Sequence, residues 1–235
     1  GAYYDITIFG KDRAGNLSNK ATAKNVKYDI TPPVISIVNP GPNVFITSTQ
    51  IAYDLSEDMS SITVRFEYSG GDYDLGSPHI YSISGEELKI GAHTIEPEFT
   101  PELMEGTQYT LTLSGEDLAS NAGQPAIVLG VVYDANPPVL ALNTPMPDSF
   151  IKETRISYSI NESLAEATLL WEAIAGTDDP NAPHRVIFSE KERKKGTYID
   201  TILTAQTTLQ DSTVYRVSFF GRDPASNESN MVIND

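Results

Sequence analysis

Apolar and polar positions alternate along this chain in short runs. Ile51, Tyr53 and Leu55 enclose Ala52 and Asp54; Ile62, Val64 and Phe66 follow; Tyr109, Leu111 and Leu113 are separated by Thr110 and Thr112. A period of two predicts half-buried strands. Shorter runs at Val34–Asn39, His79–Ser84, His93–Phe99 and Ile127–Tyr133 bring the set to seven strands, with Gly- and Asp-rich loops between them and no helical stretch. Seven short strands in about 100 residues predict an all-β fold, two antiparallel sheets packed as a sandwich.

The pattern then starts again. Ile156, Tyr158 and Ile160 match the second strand, Leu169 and Trp171 match Val64 and Phe66, and Tyr215, Val217 and Phe219 match the strand of Tyr109. Eight residues occur three times: FGKDRAGN at 9–16, SGEDLASN at 114–121 and FGRDPASN at 220–227. YDITPPV from Tyr28 and YDANPPV from Tyr133 keep the same step of 105 residues. A fixed period of this length means tandem copies of one domain. Residues 1–31 then read as the last two strands of a preceding copy, 32–136 as a whole domain, and 137–235 as a second domain with its last strand cut short. A chain that starts and stops inside a repeat reads as a fragment of a longer array. The junction Tyr133–Pro138 has no Gly/Ser spacer and carries two prolines, which predicts a stiff end-to-end joint. A lone two-stranded hairpin is marginal in water, so residues 1–31 are expected to pack on a neighbouring domain or another molecule.

Two aromatic positions support the sandwich. Tyr109 opens its strand behind Leu103 and Gly106, the mark of a tyrosine corner, with Tyr215 and Tyr4 in the same place. Trp171 takes the position of Phe66, which predicts core packing rather than a sugar-stacking platform.

Formal net charge is −16. Residues 1–31 carry +2, residues 32–136 carry −13 and residues 137–235 carry −5. An acidic surface repels nucleic acid and anionic lipid and suits divalent cations. No cysteine is present, so disulfides and thiolate metal sites are excluded. No apolar run is long enough to span a membrane as a helix.

The stretches PPVISIVNPGPN, YDLSEDM and LMEGTQYTLTLSGEDLASNAG, with the D-x-A-(G/S)-N turn, resemble bacterial Ig-like domain repeats. GGDYDLGSPHIYSISGEELKIGAH resembles a version found in long surface, adhesin-type proteins. The resemblance implies Ig-like or fibronectin-III-like seven-stranded sandwiches in a linear array. It also implies extracellular or cell-surface placement in a secreted bacterial protein, and non-catalytic work as a structural or adhesive stalk. The alternative is an accessory module that binds polysaccharide or protein within a larger secreted protein. Expected partners are the other repeats of the parent chain and such a ligand, not nucleic acid.

Few constellations could carry chemistry. Asp12 and Asn16, Asp117 and Asn121, and Asp223 and Asn227 share one spacing in the repeated turn. Asp and Asn bond their own backbone in such turns, and their oxygens are also hard ligands suited to calcium. Asp29 and Asp134 in the linkers could join them, as could Glu57 with Asp58; related arrays place calcium at domain junctions. The Gly-rich loops repeat Asp74, Pro78 and His79 as Asp179, Pro183 and His184. One His with one Asp falls short of a zinc site, which predicts a loop tie in which His bonds backbone. Lys191–Lys195 is a basic cluster expected on a solvated hairpin. Tyr68, Tyr73 and Tyr81 could form a sugar platform, but Ala173, Asp178 and Val186 replace them in the second copy. No Ser/His/Asp set or H-E-x-x-H motif occurs, so no enzymatic activity is expected.

Overall fold

A computed structural model describes residues 2–234. The chain divides into two compact units. One holds residues up to Val44 together with Ser48–Tyr133; the other holds Phe45–Thr47 together with residues from Asp134 onward.

The first unit begins with an antiparallel hairpin, β1 (Tyr3–Ile8) and β2 (Ala21–Lys27). Then come β3 (Ile35–Asn39), β5 (Ile51–Leu55), β6 (Met59–Gly71), β7 (His79–Ile83), β8 (Gly91–Ile95), β9 (Thr107–Asp117) and β10 (Ala126–Tyr133). The two-residue strand β4 (Phe45–Ile46) is counted with the second unit. One sheet runs β3-β5-β8, and the other contains the consecutive strands β10-β9-β6-β7, all antiparallel. The alternating residues face inward as their spacing predicts. Ile51, Tyr53, Leu55, Ile62, Val64, Phe66, Tyr109, Leu111 and Leu113 are all buried. Phe66 meets Phe99 and Tyr109 edge-on at 5.6 and 5.9 Å, the geometry aromatic quadrupoles favour.

The second unit contains β11 (Leu140–Thr144), β12 (Ile156–Ile160), β13 (Glu166–Gly176), β14 (His184–Ile187), β15 (Gly196–Thr201), β16 (Thr213–Arg222) and β17 (Val232–Asn234). Its sheets run β11-β12-β15 and β14-β13-β16-β17. Trp171 is buried in this core, edge-on to Tyr215, and Tyr158 stacks on Tyr198 at 4.5 Å. The chain is therefore all-β, with Ig-like two-sheet units. The one helical element among the described residues is a 3-10 turn at Gly85–Leu88, and no helix is long and apolar enough to cross a membrane.

The glycine of the repeated octapeptide has a packing reason. A Cβ on Gly115 would collide with the Ser61 carbonyl, and one on Gly221 with the Glu166 carbonyl. The neighbouring backbones approach too closely there for any side chain.

The hairpin β1-β2 pairs only with itself, and nearly all of it is exposed. Tyr4, Ile6 and Ile8 are 51, 48 and 70% exposed, while their counterparts Tyr109, Leu111 and Leu113 are fully buried. Yet the hairpin keeps the shape of β9-β10. Its register shifts between Tyr4 and Ile6, and Asn25 has φ 59° where Gly130 has φ 75°. Its apolar side chains lie exposed where those of β9 are buried. In the basic cluster Lys191, Lys194 and Lys195 are exposed, as expected. Glu192 within it is buried, and its carboxylate accepts bonds from the backbone and hydroxyls of Ser189 and Thr204.

Candidate metal centre

The three D-x-A-x-N turns share a backbone bond from the Asp N–H to the Asn carbonyl, and a second one back to the Asp carbonyl. Asp12 Oδ1 accepts the N–H groups of Ala14 and Asn16, and Oδ2 accepts the Asn16 side-chain amide at 2.8 Å. Asp117 and Asn121 repeat these bonds at 2.7–2.8 Å, and Asp223 accepts both the N–H and the side-chain amide of Asn227 at 2.9 Å. Gly15, Ser120 and Ser226 lie at φ 94, 65 and 72°, the left-handed position such a turn requires.

The two turns in the sandwiches do more than the first. The Asn121 amide also donates to the Asp29 carbonyl at 3.2 Å, and the Asn227 amide to the Asp134 carbonyl at 2.9 Å. Each turn thereby fastens the segment that leads into its own sandwich. In these ties Asn121 and Asn227 use their side-chain N–H groups, not their amide oxygens.

The carboxylates gather into two groups. Asp29, Glu57 and Asp117 place oxygens within 4.8 Å of one another, and so do Asp134, Glu162 and Asp223. In each group the turn aspartate is buried and the other two are half-buried. Among the described residues, Asp12 belongs to no such group. Glu162 was missed by the sequence reading, although it stands 105 residues after Glu57 and could have been found by the step. Three hard oxygen donors fit calcium or magnesium rather than zinc; calcium takes 6–8 oxygens, so carbonyls and water would complete the shell.

The first group has a cationic neighbour. Lys27 Nζ lies 2.5 Å from Asp29 Oδ2. Its hydrogen bond, more than any other cause, holds the Asp29 carboxyl below its usual range. At the corresponding position ahead of the second group stands Val132. Burial pushes the Asp117 carboxyl up, but the Asn121 amide and the turn N–H groups outweigh it and keep it below the ordinary value.

The repeated Asp/His loops form buried ties around the tyrosine corner. The Tyr109 hydroxyl accepts the Met104 N–H at 2.9 Å, and Tyr215 accepts that of Gln210 at 2.8 Å. Both hydroxyls donate to an aspartate Oδ2, of Asp74 and Asp179 respectively, at 2.5 Å. The same oxygens meet His79 Nε2 at 2.5 Å and His184 Nε2 at 2.6 Å. All four Asp and His side chains are buried. The expected tie of His to backbone holds for His79, whose Nδ1 lies 2.9 Å from the Pro101 carbonyl. It fails for His184, whose Nδ1 meets the Thr207 hydroxyl at 2.8 Å. As for a sugar platform, Tyr68 and Tyr73 meet at 85°, so they offer no common plane.

The family model for the bacterial Ig-like domain (group 3) matches residues 1–134. No curated protein matches the chain. Among solved structures the chain is similar to the FN1–FN3 domains of chicken CNTN1, at 13% identity and TM-score 0.36, over 98% of this chain and 75% of that one. It is also similar to the fibronectin(III)-like modules of Clostridium thermocellum CbhA, at 12% identity and TM-score 0.35, over 86% and 92%. Streptomyces avermitilis alpha-L-rhamnosidase is similar at 10% identity and TM-score 0.30, over 87% of this chain and 24% of the enzyme.

Proposed function

The chain belongs to the bacterial Ig-like domain (group 3) family, and from that premise we propose that it is a non-catalytic, load-bearing segment of an extracellular bacterial surface protein. The observation that carries this reading is the pairing of first and last segments in the first unit. Val34 bridges Gln124 in parallel, the Asn43 N–H donates to the Leu129 carbonyl, and the Val132 N–H donates to the Val44 carbonyl. Neighbours that run parallel and are pulled from opposite ends are loaded in shear, so their hydrogen bonds must fail together. The second unit meets the same need with side chains. Asn230 bonds both the N–H and the carbonyl of Leu140, and the Asn234 amide reaches the carbonyls of Leu142 and Pro145.

Stretching the whole chain in a force spectrometer tests this. Two separate unfolding peaks are expected, each releasing about 100 residues, or about 35 nm of contour at about 3.5 Å per residue. Extension without force peaks would remove the load-bearing role.

A divalent cation at Asp134, Glu162 and Asp223 belongs to the same reading. Calcium is expected to raise the melting temperature of the second unit, EDTA to reverse the rise, and Glu162→Gln to abolish it. A melting temperature indifferent to millimolar calcium removes the cation and leaves the mechanical role standing.

A further inference from the structure

We propose that the first unit is locked by a proton: His79 is folded into it as an imidazolium, so this unit alone weakens as pH rises above neutrality. The argument is one of donors and acceptors. A carbonyl oxygen only accepts, so the Pro101 contact at 2.9 Å requires a hydrogen on His79 Nδ1. Nε2 faces Asp74 Oδ2 at 2.5 Å. One proton must lie between these two atoms, and the carboxylate already has donors enough without carrying it. Oδ2 takes the Tyr109 hydroxyl, whose own lone pair is used by the Met104 N–H, and Oδ1 takes the Gly76 N–H at 2.7 Å. These bonds favour the ionised carboxylate and leave the proton on the ring. Burial raises the Asp74 carboxyl, but the bonds from Tyr109, His79 and Gly76 together outweigh it, and the group sits below its usual range.

Among the described residues, no charged group besides Asp74 hydrogen-bonds or pairs with His79. Asp74 from the loop before β7 and Tyr109 from β9 are the titratable groups in contact with the ring. Phe99, from the segment between β8 and β9, packs against it edge-on. Phe66 of β6 stands opposite in the ladder, and Glu98 and Glu102, flanking the Pro101 contact, are exposed.

The second unit provides the contrast. Thr207 stands 106 residues after Pro101, and its hydroxyl can donate to an unprotonated His184 Nδ1. His184 can therefore be neutral, with its single hydrogen on Nε2 facing Asp179.

The sign follows from proton counting. An unfolded histidine releases its proton near pH 6.5. Above that value the folded first unit holds one proton more than the unfolded chain, so its folding equilibrium constant falls up to about tenfold per pH unit. The contribution is whole below pH about 6.5 and fades as pH rises until the folded ring gives up its proton.

The test is long-range proton–nitrogen NMR of the histidine rings in the full 15N-labelled chain at pH 7.5, with H93Q and H184Q used for assignment. Both His79 nitrogens are expected in the N–H range, while His184 shows one bare nitrogen. A His79 ring with one bare nitrogen in the folded chain overturns the proposal. So does a first-unit urea midpoint that is flat between pH 6.5 and 8.5. H79Q, where it folds, is expected to remove the slope; a slope that persists in it also overturns the proposal. The wild-type spectrum decides even where H79Q does not fold.

Discussion

Tyr109→Phe removes one oxygen and leaves the ring, which makes it a clean probe of the buried tie. The hydroxyl has two partners, the Met104 N–H at 2.9 Å and Asp74 at 2.5 Å, and the residue is fully buried. Desolvation first, and then the bond to Asp74, push its own pKa up to about 12, so the group stays a neutral donor at every working pH. Phenylalanine keeps the edge-on contact with Phe66. It leaves the Met104 N–H without its partner, at about 1–3 kcal/mol, and deprives a buried carboxylate of a donor whose bond contributes about 1.5–3 kcal/mol. The two losses share one atom and do not simply add, so about 2–4 kcal/mol is expected for the first unit. With a urea slope of about 1.5 kcal/mol/M, the midpoint falls by roughly 1.3–2.7 M. The single tryptophan of the chain, Trp171, lies in the second unit. Its fluorescence therefore follows that unit while circular dichroism follows both. Tyr109→Phe should move the dichroism transition of the first unit and leave the fluorescence midpoint in place. Tyr215→Phe should do the reverse, with a smaller shift because its Gln210 bond is exposed and water can replace it. A first-unit midpoint that moves by less than about 0.3 M after Tyr109→Phe would refute the tie as a major source of stability.

Gly115→Ala drives a methyl into the Ser61 carbonyl. Backbone must shift to admit it, so a loss of about 1–3 kcal/mol is expected by urea denaturation; an unchanged midpoint would show that β6 and β9 have slack there. Acid should attack the second unit through Asp179. Hydrogen bonds from Tyr215 and then His184 overcome burial and hold its pKa at about 2, against an ordinary 3.8. The folded pKa is depressed, so the contribution is whole above pH about 4 and is lost as pH falls from 4 towards 2. Trp171 fluorescence against pH checks this, and Asp179→Asn should flatten the fall; a variant with the wild-type acid profile would count against the tie.

Much of the fold was legible because the core obeys a period of two and the period of the repeats is fixed. Ile51 to Leu55, Ile62 to Phe66 and Tyr109 to Leu113 bury the residues that alternation selects. The tyrosine corner was readable from Leu103, Gly106 and Tyr109; that its hydroxyl accepts a backbone N–H, from Met104, was not. Its second partner was not, because Asp74 lies 35 residues away and the contact depends on how the loop between β6 and β7 folds back over β9. The carboxylate groups were half legible. Asp29 with Asp117, and Asp134 with Asp223, came from the turn and linker motifs, but Glu162 needed the step to be applied to Glu57. Lys27 could not be recognised as a neighbour of Asp29, since spacing does not say which way a lysine on an exposed hairpin turns.

The two copies, laid against each other, separate what the fold needs from what each unit does with it. The Asp–His–Tyr tie, the D-x-A-x-N turn and the crowded glycine are present in both, each answering a backbone requirement that recurs with the topology. At other positions the same requirement is met by different chemistry. The Pro101 carbonyl and the Thr207 hydroxyl both cap a histidine nitrogen, but only the carbonyl dictates where the proton sits. Lys27 and Val132 both precede a carboxylate group, but only Lys27 brings a charge to it. Phe66 and Trp171 both fill the centre of a sandwich, but Trp171 buries an Nε1–H with no hydrogen-bond partner. A buried donor left in that state costs about 1–3 kcal/mol, so the larger ring is not the obvious choice for filling the space. Residues of this second kind are where two units of one topology meet a shared structural requirement with different side-chain chemistry.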